Sequence, residues 1–158
     1  MINIYLMIYE RNLLNPILES LKDHPVVLIN GARQVGKSTL VKDFISCTNP
    51  LQYITLDDPV DLSALQGDPL GFLKEFTETL AIDEVQRAPE LFIPLKKIVD
   101  ERKKEGLYIL TGSANVLTLP KISESLAGRM IIYTMWPLSQ GELLGKKEFF
   151  IDSIFKDN

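Results

Sequence analysis

The chain has one cysteine, Cys47, and one histidine, His24. Neither a disulfide within the chain nor a Cys/His zinc cluster can be assembled from them, and a reducing, cytoplasmic setting is expected. Basic residues are in deficit: 17 Lys and Arg against 21 Asp and Glu leave a formal charge of −4, so the global balance does not indicate a surface that neutralises nucleic-acid phosphates. Long apolar runs are also missing. The opening MINIYLMIY meets Glu10 and Arg11 after nine residues, well short of the roughly 20 that span a bilayer. It lacks a basic leader and a small-residue cleavage site, so no membrane contact is expected. No internal repeat or low-complexity tract interrupts the sequence.

What remains is 158 residues of ordinary globular composition, enough for one domain with one sizeable core. Strand-like and helix-like patterns alternate along it. Asn15-Pro16 opens a helix whose apolar face is Ile17, Leu18 and Leu21, ending at Pro25. VVLIN (26–30) is a short apolar run rich in β-branched residues, the signature of a strand covered on both faces. Leu40, Val41, Phe44 and Ile45 then recur at helical spacing. LQYIT (51–55), TLAID (79–83), LYILT (107–111) and MIIYT (130–134) read as further strands, with helices predicted over 69–76 and 89–104 and a short one broken by Pro120. The expected fold is α/β: a three-layer α/β/α sandwich around a mainly parallel five-stranded sheet. Residues 1–12 read as an extension, 13–137 as the domain, and 138–158 as a tail or the start of something further.

Between the first strand and the next helix lies Gly31, four residues, then Gly36-Lys37-Ser38. This is the G-x-x-x-x-G-K-[ST] phosphate loop in its proper setting, a strand before and a helix after. The glycines let the main chain fold tightly and turn its N–H groups toward a β-phosphate, and the helix N-terminus adds partial positive charge. Residues Gly31, Ala32, Arg33, Gln34, Val35, Gly36, Lys37, Ser38 and Thr39 are the expected nucleotide-binding set. Lys37 is expected to bridge the β- and γ-phosphates and the Ser38 hydroxyl to ligate Mg2+. The metal needs a second anchor, expected from an acid at the end of a neighbouring strand. Asp83 closes TLAID, and the adjacent Glu84 is placed to polarise an attacking water. No Asn-Lys-x-Asp motif for reading guanine is present, and no arginine-rich lid of a small-molecule kinase can be located, so ATP is the expected nucleotide and water the expected acceptor.

LYILTGSAN ends a strand with Thr111, Ser113 and Asn115 where open α/β sheets bind ligands. Thr111 or Ser113 is expected to sense the γ-phosphate or hold the attacking water, with helix capping as the alternative. Arg129 is the candidate for stabilising charge on the transferring phosphoryl group, a role often filled from a neighbouring subunit. A homo-oligomer is therefore one expected partner, and a surface salt bridge is the alternative use of that arginine.

Taken together, LINGARQVGKSTL, LDDP, IDEVQRAPELFIPLKKIVDERKKEGLYILTGSAN, ESLAGR and WPLS resemble the ATPase domain of a prokaryotic AAA-like family, over about Tyr9 to Gly145. The resemblance implies ATP and Mg2+ as ligands, Gly31 to Thr39 as the phosphate loop, Asp83 and Glu84 as the metal-anchoring and catalytic acids, and a sensor near Ser113. Gln86 and Pro89 match the family segment after the acidic pair without an evident role. Proteins of this kind usually continue into a C-terminal domain of unknown function. The present chain stops soon after its fifth strand, a difference expected to spare nucleotide binding more than turnover. The leading expectation is an ATP-hydrolysing domain coupled to an unidentified protein partner, with nucleic acid not indicated. The alternatives are an ATP-binding switch with negligible turnover of its own and, third, a small-molecule phosphotransferase.

Overall fold

The computed structural model describes residues 9–113, 116 and 126–146. Helix α1 (Leu14–Asp23) leads into strand β1 (Val26–Gly31). After the phosphate loop, three abutting helical segments, Lys37–Thr39, Leu40–Ile45 and Ser46–Thr48, run on as one helix, α2. There follow β2 (Leu51–Thr55), α3 (Pro59–Gly67), α4 (Pro69–Lys74), β3 (Thr79–Asp83), two single helical turns (Val85–Arg87 and Pro89–Leu91), α5 (Phe92–Arg102), β4 (Tyr108–Gly112), β5 (Met130–Met135) and α6 (Gln140–Leu144). The expected short helix around Pro120, like Asn115, lies outside the described residues. Among the described residues no helix is long and apolar enough to cross a membrane.

The sheet has the order β2-β3-β4-β1-β5, and every described pairing is parallel. Its inner strands are buried on both faces, which is why they read as unbroken apolar runs. Alternate side chains serve two separate cores. Val26, Leu28, Leu80, Ile82, Tyr108 and Leu110 pack under α3, α4 and α5, meeting Leu65, Leu73, Phe92, Leu95 and Ile98. Val27, Ile29, Ala81 and Ile109 pack under α1 and α2, meeting Ile17, Leu21, Leu40, Val41 and Ile45. Each such side chain contributes about 1.5–3 kcal/mol by leaving water, so the two layers fix the sheet and with it the strand ends that carry the polar residues.

Helix α3 departs from the sequence reading, which leaves 56–68 without an element. Its start is locally encoded: the Asp58 side chain accepts the Val60 N–H at 2.8 Å and Pro59 occupies the first turn. Only Leu65 is buried along it, so it carries little apolar periodicity. A second departure lies in α2, whose hydrogen bonding widens over Leu40–Ile45, with the Ser46 N–H reaching back to the Val41 carbonyl. Over six residues the two helical periods leave the same apolar pattern.

The boundaries expected near residues 12 and 137 are bridged by one side chain. Arg11 donates from Nε to Glu142 Oε1 at 3.0 Å, from Nη1 to the Val35 carbonyl at 2.7 Å and from Nη2 to the Trp136 carbonyl at 2.5 Å. Glu142 closes a reciprocal cap with Ser139 at the start of α6 and accepts the Asn12 N–H. Burial tends to raise the Glu142 carboxyl. The Ser139 and Asn12 N–H groups and Arg11 outweigh it and hold the acid below its ordinary range. The pair's side chains are 8% and 6% exposed, and a hydrogen bond to a charged group contributes about 1.5–3 kcal/mol.

Glu142→Gln should therefore lower the melting temperature by about 4–8 °C at neutral pH, taking about 2 kcal/mol and 2–4 °C per kcal/mol for a chain of this size. Because the carboxyl is depressed in the folded state, its contribution is complete above the unfolded value near 4.3 and fades as pH falls through the folded one. Melting curves of the two proteins should converge in acid. A constant gap across pH 7 to 3 would show that the charge is not what matters.

Candidate functional site

The loop between β1 and α2 takes its shape from three residues of positive φ: Gly31 (153°), Gln34 (63°) and Gly36 (95°). At Gly31 the constraint is also steric, because a Cβ there would run into the carbonyl oxygen of Met135 at the end of β5. Lys37, the first residue of α2, is buried, and its Nζ donates to the carbonyls of Gly31 at 3.1 Å and Ala32 at 2.8 Å. The ammonium thus lies folded back across the loop, with one of its three donors uncommitted.

The next residue reaches across to β3. Ser38 Oγ donates to Asp83 Oδ2 at 2.7 Å, so the two expected metal ligands stand side by side. The strands beneath them are not neighbours, contrary to the expectation. β4 lies between β1 and β3, a separation of about 9–10 Å at ordinary strand spacing, and the first turn of α2 carries Ser38 across it.

Asp83 also accepts hydrogen bonds from the Tyr53 hydroxyl at 2.5 Å and from the Thr111 hydroxyl. Burial tends to raise its pKa, but Thr111, Tyr53, Ser38 and the Glu84 main chain outweigh that and hold it below the ordinary carboxylate range. It is therefore a fixed anion at neutral pH. Burial, followed by the bond to Asp83, pushes the Tyr53 phenol up, so it remains a donor.

Thr111 does not take the place expected of it. Its hydroxyl, fully buried, is committed to Asp83 and also receives the Glu84 N–H at 3.4 Å, so it braces the acids rather than facing a ligand. Ser113 enters through its main chain, its N–H bonded to Gln86 Oε1 at 3.2 Å. Arg129 is not brought to this site. It precedes β5, whose first residue pairs with Val26 and whose last pairs with Gly31, so it sits at the opposite, amino end of the strands, roughly 17 Å of strand away. There it forms a two-pronged ion pair with Asp100 at 2.5 and 3.2 Å, the surface salt bridge named as its alternative.

Glu84 follows Asp83 in a left-handed conformation, φ 59° and ψ 43°. For a residue with a side chain that costs on the order of 1–3 kcal/mol, and it swings the acid out of the strand toward the loop. Glu84, Gln86 and Arg87 line a cavity of about 680 Å³ together with Arg33, Gln34, Gly36, Lys37, Ser38, Thr39 and Asp57. The cavity opens beyond the carboxyl ends of the strands, where sheets of this type bind ligands, and its size suits a small molecule. Arg33 is among its walls. So is Arg87, which faces Asp57 at 2.7 Å.

Sequence reasoning missed Tyr53, Arg87 and Arg11. Tyr53 was legible only as a strand residue, and its parallel register two places before Asp83's partner Thr55 was not available from spacing. Arg11 reads as a charge ending an apolar run.

The AAA domain family model matches residues 23–144. The chain belongs to that family. Two uncharacterized proteins, from Mycobacterium bovis and Mycobacterium tuberculosis, are each 34% identical to it over 125 residues, 79% of this chain. The chain spans 28% of the length of each of these relatives. Among solved structures, the AAA domain is similar to a Walker-type ATPase of Pyrococcus abyssi (TM-score 0.60, 20% identity, covering 95% of this chain and 59% of that one). It is also similar to a DNA replication initiation factor (0.57, 17%, 90% and 49%) and to AMPPCP-bound DnaA from Aquifex aeolicus (0.56, 15%, 92% and 54%). At these identities the likeness is one of fold, that of the P-loop ATPases.

Proposed function

We propose that this AAA domain binds ATP with Mg2+, hydrolyses its β–γ phosphoanhydride, and passes the change of nucleotide state to an unidentified protein partner. The observation that carries the reading is the convergence of Lys37 and Ser38 from the loop and Glu84 from the end of β3 on one cavity, with Asp83 bonded to Ser38 beside it. The AMPPCP-bound state of the structural neighbour from Aquifex aeolicus supports the choice of ligand.

The donor set fits the metal. Ser38 Oγ and an Asp83 carboxylate held ionised offer two hard oxygens 2.7 Å apart, the ligand type Mg2+ takes along with water and phosphate oxygens. Bound there, the ion would neutralise charge shared by the β- and γ-phosphates. The loop main chain cradles the β-phosphate, and the Lys37 ammonium offsets charge gathering on the leaving oxygen. Glu84 accepts a proton as water attacks the γ-phosphorus, the bond from that phosphorus to the bridging oxygen breaks, and ADP and phosphate result. Arg129 enters this reading only through a second copy of the chain, after leaving Asp100.

Calorimetric titration with ATP, with Mg2+ and then with excess chelator, and phosphate release at several protein concentrations test the proposal together. Saturable binding and steady phosphate release that the chelator abolishes are expected. Binding without release at any concentration would leave an ATP-binding switch. A specific activity independent of concentration would remove Arg129 from the mechanism.

A further inference from the structure

Gln86 follows the acidic pair by two residues, and the hydrolytic reading above gives it no part. Its amide is nevertheless engaged at both ends. Nε2 donates to Glu84 Oε2, and Oε1 accepts the Ser113 N–H at 3.2 Å. Only one orientation of the amide satisfies both partners, because flipping it would set its NH2 against the Ser113 N–H and its carbonyl against a carboxylate. Glutamate cannot substitute, since it would place a second carboxylate against Glu84.

The end of β4 is shaped around this side chain. Gly112 has no left-handed backbone to account for its being glycine. A Cβ there would instead stand 3.0 Å from Gln86 Oε1 and 3.0 Å from the Val116 side chain, so the missing side chain is what lets the amide lie between the two strand ends.

We infer that Gln86 is a positioning residue, which fixes the Glu84 carboxylate over the phosphate cavity by tying one of its oxygens to the main chain at the end of β4. One Glu84 oxygen is held while the other is left to meet water. The tie also makes the aim of Glu84 depend on where Ser113 sits, so a movement of the β4 terminus is transmitted to the acid through two hydrogen bonds. The inference rests on the hydrolytic reading, because positioning matters only if Glu84 handles water.

The test compares wild type with Gln86→Ala, Gln86→Glu and Gly112→Ala, measuring kcat and KM for ATP, the Kd of a non-hydrolysable ATP analogue, and the melting temperature. Each variant is expected to lose roughly 10- to 100-fold in kcat, the scale on which a displaced catalytic group or a lost supporting partner is felt. KM and Kd should stay within about threefold of wild type. In a Glu84→Gln background, Gln86→Ala should remove nothing further, because the group it positions has lost its function. A residue that merely stabilised the fold would lower melting temperature and affinity together and would act equally in both backgrounds; that result overturns the inference. So does an unchanged or raised kcat in Gln86→Ala, the latter making the contact a restraint. Wild-type protein that binds ATP without releasing phosphate overturns the hydrolytic reading and this inference with it, whereas wild-type turnover that survives Gln86→Ala overturns the inference alone.

Discussion

Lys37→Ala is expected to weaken ATP binding by roughly 30-fold or more while leaving a folded protein. Lys37 is 5% exposed, and two of its ammonium donors already hold the carbonyls of Gly31 and Ala32. It is therefore positioned before any ligand arrives, and little reorganisation stands between it and a phosphate oxygen. Truncating one partner of a buried, hydrogen-bonded charge pair typically costs about 2–5 kcal/mol, which is roughly 30- to 5,000-fold in Kd. Lys37→Arg should not rescue it, because a planar fork cannot fit the position of a compact ammonium folded across the loop. Titration calorimetry with ATP and Mg2+ measures the effect, with circular dichroism as the control for folding. Equal affinity in wild type and Lys37→Ala would mean that the phosphates bind somewhere other than this loop.

The second large effect falls on chemistry rather than affinity. Glu84→Gln keeps the shape of the side chain, and the new carbonyl oxygen can still accept from Gln86, but the group no longer takes a proton from water. Phosphate release should fall about 10²- to 10⁴-fold, the usual worth of a positioned general base, with ATP affinity changed by no more than about threefold. Backbone strain at position 84 is the same in both proteins, so their melting temperatures should agree. Undiminished hydrolysis would remove Glu84 from the mechanism and leave the Ser38–Asp83 pair as an anchor without a neighbouring base.

Strand positions were open to sequence reasoning because burial on both faces leaves an unmistakable mark. VVLIN, TLAID and LYILT sit within a residue of β1, β3 and β4, and parallel pairing follows from the intervening helices. Strand order was not open to it. Nothing in TLAID or LYILT says that β4 inserts between β1 and β3, since both are apolar and end in polar residues. That insertion decides what Thr111 does: seated on the middle strand beside Asp83, its hydroxyl is drawn to the carboxylate. The turn after β1 was legible at Gly31 and Gly36, whose positive φ favours glycine, whereas the left-handed Gln34 between them was not. Glu84 was legible as an acid after a strand, but its left-handed conformation was not, because the residue type gives no warning of it and the surrounding contacts impose it. Arg129 was misplaced although its position before β5 was legible, since in a parallel sheet a residue preceding a strand lies at the amino end, away from the loop that follows β1. The helix at 59–67 was signalled by Asp58-Pro59 alone, against a weak apolar pattern.

A guanidinium is flat and stiff, so the groups bonded to its nitrogens share one rigid plate. Arg11 fastens the Val35 carbonyl, the Trp136 carbonyl and Glu142 in this way. The crest of the phosphate loop and the segment running through α6 are consequently geared together. A displacement at residue 142 would therefore bear on Val35, and one at Val35 on α6, with a single side chain as the axle.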